Sequence, residues 1–355
     1  MELQNYILNT DNYLQDFKEK NLCVKNYSQL NLAIVKCKYN CEYDYTTYPW
    51  MRYCRGVVIH TKTHRIECLP PMKSDIITDI DEISNDTNNT YEILIDGTMI
   101  NMFYHNNEWM ISTRSNIGGK NSWDGKIKFH ELFSEVSNDI EFKNDLNKSH
   151  CYSFVLQHNK NRIITPITNN CITLVEEYDI NTLEKVNNTK LQNTISLSNM
   201  DYDYLQNYKH ILSYMIKGFT VKTMNKRYKW INPNYEYVRS LKMNHNHKFM
   251  NYISLRQNSL LKEFLRYFPE ESYLFNEYRE TFNYIKQLLF QSYFNHFVKK
   301  NLEVKDIEYP LRPLIFELHT MYKTTGNKTT IEVVSDYLHN LPEKKMLFIY
   351  NYICK

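Results

Sequence analysis

The stretch YEILIDGTMINMFYHNNEWMISTRS, residues 91–115, decides how the first half of this chain is interpreted. Apolar and polar residues alternate along it, which is typical of half-buried β-strands. Asp96-Gly97 and Asn106-Asn107 are pairs that favour tight turns. We therefore predict a hairpin with one strand before Asp-Gly, a second strand up to Asn-Asn, and a third strand after it.

Further strand pairs are predicted on both sides of this hairpin. CRGVVIHTKTHRIECLPP, which begins at Cys54, places two β-branched runs around a polar turn. YSFVLQHNKNRIITPITNNCITLVEEYDI, which begins at Tyr152, contains two more strands, and GFTVKTMNKRYKWINP, which begins at Gly218, is a last hairpin with Asn-Lys at its turn. KFHELFSEV, which begins at Lys128, is an amphipathic helix pattern.

After Pro233 the period of the apolar residues changes from about 2 to about 3.6. LLKEFLRYF, YIKQLLFQSYFNHFV and IEVVSDYLHNL place apolar residues at helical spacing. The sequence therefore predicts an α+β protein, with an antiparallel-sheet domain over 1–238 and an all-helical domain over 239–355.

Composition narrows the classes of protein further. A chain of 355 residues with 42% hydrophobic residues and a net charge of +3 indicates a globular protein. It contains no run of about 18 apolar residues, so no membrane contact is expected, and its start lacks the order of a secretory signal. The eight cysteines form no CxxC pair, which favours reduced thiols, a cytoplasmic location and no metal site.

Only seven glycines occur, and Gly56, Gly97 and Gly218 fall in short motifs. Each motif (Arg-Gly, Asp-Gly, Asn-Arg, Lys-Gly, Arg-Tyr-Lys) is a weak signal alone, because Asp-Gly is usually only a turn. Their order and spacing resemble the covalent nucleotidyltransferase superfamily, and within it the RNA ligases of the phage T4 RNA ligase 1 kind. The resemblance implies an ATP-grasp-like ligase domain that uses ATP and Mg²⁺ if it is active.

The resemblance also assigns roles to residues. The family's K-x-D-G lysine, which attacks ATP, is matched by Leu94, and its metal-binding glutamate before glycine is matched by Lys217. Val155 stands where another acid is expected. The residues that the resemblance assigns to nucleotide and phosphate binding are Arg55, Lys73, Asp96, Gly97, Arg114, Phe154, Arg162, Arg227 and Lys229.

These departures leave three interpretations open. Leucine has no lone pair with which to attack phosphorus, and a lysine repels Mg²⁺ where a carboxylate would bind it. The chain is therefore an impaired ligase that still binds nucleotide or RNA, an active RNA ligase with a relocated nucleophile (Lys73 or Lys217), or a structural, partner-binding protein on the same fold. Whether it is an enzyme stays open at this point.

The helical region supplies a second candidate site. Four basic residues interleaved with aromatic residues suit RNA ends or loops, including tRNA-like ones, although a helix with a basic face explains the pattern equally well. The four residues are Arg239, Lys242, Lys248 and Arg256. The segment Phe316–Thr320 resembles the C-terminal core of related ligases. Such ligases occur in phages and large DNA viruses, which implies a viral protein in the host cytoplasm or virion, with a viral partner.

Overall fold

A computed structural model of the chain describes residues 1–83, 86, 88–122, 127–137, 144–186, 195–196, 202–224, 226–243 and 247–354. The strands are β1 (Leu22–Tyr27), β2 (Leu32–Cys37), β3 (Arg55–His60), β4 (Ile66–Cys68), β5 (Asp75–Ile77), β6 (Thr90–Ile93), β7 (Thr98–His105), β8 (Glu108–Ser112), β9 (His150–Gln157), β10 (Cys171–Asp179), β11 (Ile195–Ser196), β12 (Gly218–Lys222) and β13 (Arg227–Ile231). The helices are α1 (Glu2–Asn9), α2 (Tyr13–Glu19), α3 (Phe129–Ser137), α4 (Tyr202–Tyr208), α5 (Pro233–Lys242), α6 (Lys248–Gln257), α7 (Leu261–Tyr267), α8 (Ser272–Tyr293), α9 (Arg312–Thr325), α10 (Ile331–His339) and α11 (Glu343–Ile353).

The strands form three mainly antiparallel sheets, in the orders β1-β2-β3-β4, β11-β10-β9-β7-β8 and β5-β13-β12-β6. The predicted pairs β3/β4, β9/β10 and β12/β13 are confirmed, as is helix α3; Asn225 of the last turn lies outside the described residues. The α+β class, with antiparallel sheets followed by helices, is as predicted. No helix among the described residues is long and apolar enough to cross a membrane.

The predicted hairpin across Asp96-Gly97 is wrong. β6 pairs with β12 in one sheet, whereas β7 pairs with β8 and β9 in another. Asp-Gly therefore carries the chain from one sheet to the next. The second turn is confirmed, because Asn106 and Asn107 both have positive φ (48° and 64°) and connect β7 to β8.

Each sheet has its own apolar core. The first packs α1 and α2 against its strands around Leu3, Phe17 and Trp50. The second covers β7, β9 and β10 with α3. The third buries Phe219 and Trp230, whose rings stack with centroids 5.0 Å apart. Because side chains alternate along a strand, the opposite face of this third sheet carries Glu92, Lys222 and Arg227.

The chain divides into two compact units, Met1–Glu236 and Tyr237–Lys355. The second unit is helical, and its core is an aromatic cluster in which Phe249 stacks on Tyr350 at 4.1 Å and meets Tyr278 edge-on at 5.3 Å. After α8 the chain continues as a π-helix over Phe294–Lys299.

Candidate functional site

Asp96 is the centre of a buried polar network in the first unit. One carboxylate oxygen accepts from the backbone N–H groups of Ile164 (2.9 Å) and Thr165 (3.1 Å). The other accepts from the Tyr235 hydroxyl at 2.6 Å and lies 3.3 Å from the Lys217 ammonium group. The carboxylate is therefore surrounded by donors from its own chain.

This environment keeps Asp96 ionised. Burial raises the pKa of a carboxyl group, but here the charge of Lys217, the Tyr235 hydroxyl and the two N–H groups outweigh burial. The pKa of Asp96 is consequently below its ordinary value. The negative charge of Asp96 is therefore balanced by contacts within the fold.

Leu94 and Val155 occupy two of the positions at which the resemblance predicts reactive groups. Leu94 is half-buried, and its N–H donates to the Gly218 carbonyl at 2.9 Å. Val155 packs against Gly97 so closely that a Cβ on that glycine would lie 2.5 Å from a Val155 methyl group. An apolar side chain therefore fills this space, and only glycine fits opposite it.

A basic cleft lies at the ends of β2 and β3. It has a volume of about 150 Å³ and is lined by Arg55, Lys73 and Arg114 together with Cys37 and Tyr45. The Lys73 ammonium group lies 4.7 Å from the centroid of the Tyr45 ring, and an Arg114 N–H donates to the Cys37 carbonyl at 3.1 Å. Three residues predicted to bind phosphate are thus brought together.

Glycine allows two of these cations to approach each other. Gly56 has φ of +104°, and a Cβ there would lie 2.8 Å from the Arg114 Cα. Arg55 keeps access to solvent, yet the surrounding protein and the nearby charges of Arg114 and Arg227 lower its pKa to about 10. Like charges are therefore concentrated around one cleft, which is unfavourable until an anion binds.

Arg227 also belongs to a buried charge cluster that joins the third sheet to Glu176 on β10 of the second sheet. Its guanidinium lies 3.4 Å from Glu176, and Lys222 lies 3.3 Å from Glu176 and 2.7 Å from Glu92. Burial raises the pKa of Glu176, but Arg227 and Lys222 bring it below its ordinary value. Lys229 is half-buried on the same sheet face, opposite Thr220.

Three basic residues on β1, on β2 and just before β3 were missed in the sequence. Lys36 pairs in register with Arg55 and donates to the Ser115 hydroxyl at 2.6 Å, and Lys25 donates to the Asn116 side chain. Arg52 lies 2.7 Å from Asp75 and 5.0 Å from the Tyr45 ring. None belongs to a motif, although the alternation in β1 and β2 could have placed Lys25 and Lys36 on one face.

Two of the residues predicted to contact a ligand have contacts within the fold. Phe154 is fully buried in the core under α3. Arg162 folds back onto its own loop and donates twice to the Ile164 carbonyl, at 3.0 and 2.9 Å. It thereby supports the loop whose N–H groups bind Asp96.

The four basic residues of the second unit have different environments. Lys248 is exposed and lies 2.6 Å from Glu271. The guanidinium of Arg256 lies 3.9 Å from the centroid of the Phe282 ring, and Lys242 lies 5.5 Å from that of Phe268. Arg239 is exposed. RNA binding at these residues stays a prediction.

The residues around Asp96 do not fit a magnesium ion. Magnesium prefers several oxygen ligands, but the oxygens of Asp96 already accept from four donors, the N–H groups of Ile164 and Thr165 and the hydroxyl groups of Thr165 and Tyr235. Lys217 also brings a positive charge to within 3.3 Å. In the described part of the chain no group of three His, Cys, Asp or Glu side chains is placed to hold a metal ion.

Solved structures to which this chain is similar include nucleic-acid ligases. No protein-family model matches the chain, and no curated protein sequence matches it significantly. An Aquifex aeolicus structure described as a candidate ATP-dependent DNA ligase is similar over 81% of this chain and 80% of its own (12% identity, TM-score 0.42). An archaeal ATP-dependent RNA ligase is similar over 76% and 78% (10% identity, TM-score 0.43). A variant Naegleria gruberi RNA ligase with ATP and Mn is similar over 44% and 52% (11% identity, TM-score 0.33).

Proposed function

We propose that this protein binds a phosphate-bearing ligand, a nucleotide or an RNA end, in the basic cleft, and that it forms no covalent bond to nucleotide. The observation that carries the proposal is the arrangement of Arg55 and Arg114 around one cleft. Among the described residues neither has a carboxylate within salt-bridge distance, whereas Lys73 has Asp75 at 3.9 Å. Clustered guanidinium groups without a counter-ion suit phosphate oxygens, which accept two hydrogen bonds from one arginine.

The size of the cleft limits which part of the ligand enters it. Pockets for whole drug-sized ligands usually measure about 300–1,000 Å³, and this cleft measures about 150 Å³. The size of the cleft therefore suits the phosphate groups of the ligand, and the rest of the ligand would lie outside the cleft. Lys36 and Lys25 are placed on the neighbouring strands, where further phosphates of an RNA strand would find positive charge.

The second candidate function is an active ligase that uses another lysine as its nucleophile. It is considered because Lys217 is next to the residue whose carbonyl accepts from the Leu94 N–H. A nucleophilic lysine needs a free lone pair. The Lys217 ammonium is paired with Asp96, and Lys73 lies over Tyr45 and near Asp75. Both ammonium groups already have partners within the fold, so the geometry favours ligand binding over covalent catalysis.

The test separates covalent from non-covalent binding. We expect no label on a denaturing gel after incubation with α-labelled ATP, or with GTP, and Mg²⁺. We expect salt-dependent binding of 5′-phosphorylated RNA that weakens about tenfold or more in Arg55→Ala, because a hydrogen bond to a charged group contributes about 1.5–3 kcal/mol. Lys62→Ala, an exposed lysine at the turn between β3 and β4, is the matched control.

Two results would contradict the proposal. A covalent label that disappears in Lys73→Ala or Lys217→Ala would establish a relocated nucleophile. Equal RNA affinities for Arg55→Ala and Lys62→Ala would remove the cleft as the binding site and favour a structural or partner-binding role.

A further inference from the structure

Lys217 has a fixed position at the end of the third sheet. Its own carbonyl accepts from the Asn232 N–H at 3.0 Å, and the next residue, Gly218, accepts from the Leu94 N–H at 2.9 Å. Its ammonium group lies 3.3 Å from Asp96 and 5.8 Å from the centroid of the Tyr235 ring. Backbone and side chain are thus both held, and the positive charge has a defined place.

The ammonium group keeps the capacity to bind an anion. The Lys217 side chain is 24% exposed, whereas that of Asp96 is 2% exposed. A lysine has three N–H donors, and Asp96 is the only carboxylate that contacts Lys217 among the residues the structure describes. At least one donor can therefore face solvent or a ligand while the pair with Asp96 stays intact.

The contacts around Asp96 leave a divalent cation no position comparable to that of the Lys217 ammonium group. To reach Asp96 it would have to displace Lys217 and take over oxygens that already accept from Tyr235, Ile164 and Thr165. It would also have to enter beside a positive charge, which costs free energy in a site shielded from water. The chain itself supplies the cation at this position.

We propose that Lys217 is a tethered cation that takes the place of magnesium, so that this protein binds the phosphates of its ligand without a divalent metal. The inference rests on the proposed function and adds Lys217 of the third sheet to the cations that would neutralise the ligand. It predicts that free ATP, which carries its full negative charge, binds at least as well as ATP complexed with Mg²⁺.

The test uses the full chain and ATP as the probe, with affinity measured by calorimetry in EDTA and again in excess Mg²⁺. We expect the unsubstituted protein to bind ATP in EDTA with an affinity equal to or higher than that in Mg²⁺. Lys217→Met should weaken binding in EDTA about tenfold, and Lys217→Arg, which keeps the charge, should restore most of it. Lys62→Met is the matched control for the loss of one lysine charge.

Lys217→Glu gives the clearest test. If Lys217 only stabilised the fold, the ATP affinity of this variant would not depend on metal. We expect this variant to bind ATP weakly in EDTA and to regain affinity in Mg²⁺, because a second carboxylate then stands beside Asp96. Thermal unfolding of each variant checks that it is folded.

Two results overturn the inference alone: a loss of affinity of tenfold or more for the unsubstituted protein in EDTA, or ATP binding by Lys217→Met that equals that of Lys62→Met. Failure of the unsubstituted protein to bind ATP or RNA in either buffer would overturn the proposed function as well.

Discussion

Replacing Asp96 with alanine is the strongest test of the network at the turn between β6 and β7. The substitution removes the acceptor of the Tyr235 hydroxyl and of the N–H groups of Ile164 and Thr165. It also leaves Lys217 without its carboxylate. Breaking a buried ion pair by removing one partner costs about 3–5 kcal/mol, because the other charge stays uncompensated.

This loss should be visible as a change in melting temperature. For a folding unit of about 150–250 residues, 1 kcal/mol shifts the melting temperature by roughly 2–4 °C, and the first unit spans Met1–Glu236. We therefore expect Asp96→Ala to melt roughly 6–20 °C lower than the unsubstituted protein at pH 7. The double variant Asp96→Ala/Lys217→Met should recover part of the loss, since it also removes the uncompensated ammonium group.

The pH dependence gives a second, independent check. Because the pKa of Asp96 is lower in the folded than in the unfolded chain, its contribution to stability is fully present above the unfolded pKa. That contribution is lost as the pH falls through the lower, folded pKa. The difference in melting temperature between the two proteins should accordingly shrink below about pH 4. A shift under 2 °C at pH 7, or a difference that grows in acid, would refute the role assigned to Asp96.

Two further substitutions test the cleft and the lost nucleophile. Gly56→Ala would place a Cβ 2.8 Å from the Arg114 Cα at a φ of +104°. We expect it to lower stability by about 1–3 kcal/mol, measured by urea unfolding, and to weaken RNA binding, measured by fluorescence anisotropy. Unchanged RNA affinity would contradict the positioning of Arg114. Leu94→Lys should gain no covalent label from ATP, because Lys217 still stands beside Asp96; labelling of this single variant would show that only the nucleophile is missing.

The sequence predicted the strands better than the sheets to which they belong. Alternation identified β6, β7 and β8, but a period of two does not say which strand lies alongside. Asp-Gly is a common hairpin turn, yet here Asp96 is bound by groups 68, 69 and 139 residues further along the chain. Such long-range partners override the local turn preference.

The sequence predicted those residues of the candidate site that belong to short motifs at the ends of strands. Arg55, Lys73 and Arg114 were each predicted from a short motif, and the fold assembles them around one cleft. Lys36 was missed because it belongs to no motif, and its position opposite Arg55 follows only from the register of β2 and β3. Side-chain direction and register are properties of the folded sheet.

The residues that keep the motif pattern divide into two groups that the pattern cannot separate. Asp96 and Arg162 have hydrogen-bond partners within the chain, and Arg227 lies 3.4 Å from Glu176, although its buried Nε has no hydrogen-bond partner among the described residues. Arg55 and Arg114 have no carboxylate partner among the described residues, so stability does not explain why they are held together. A positive charge that the fold concentrates but does not neutralise is consistent with the proposed binding of an anion. Lys217 belongs to the first group because it is paired with Asp96, but its side chain is still 24% exposed. For this reason its substitution distinguishes a buried structural pair from a charge that the ligand uses.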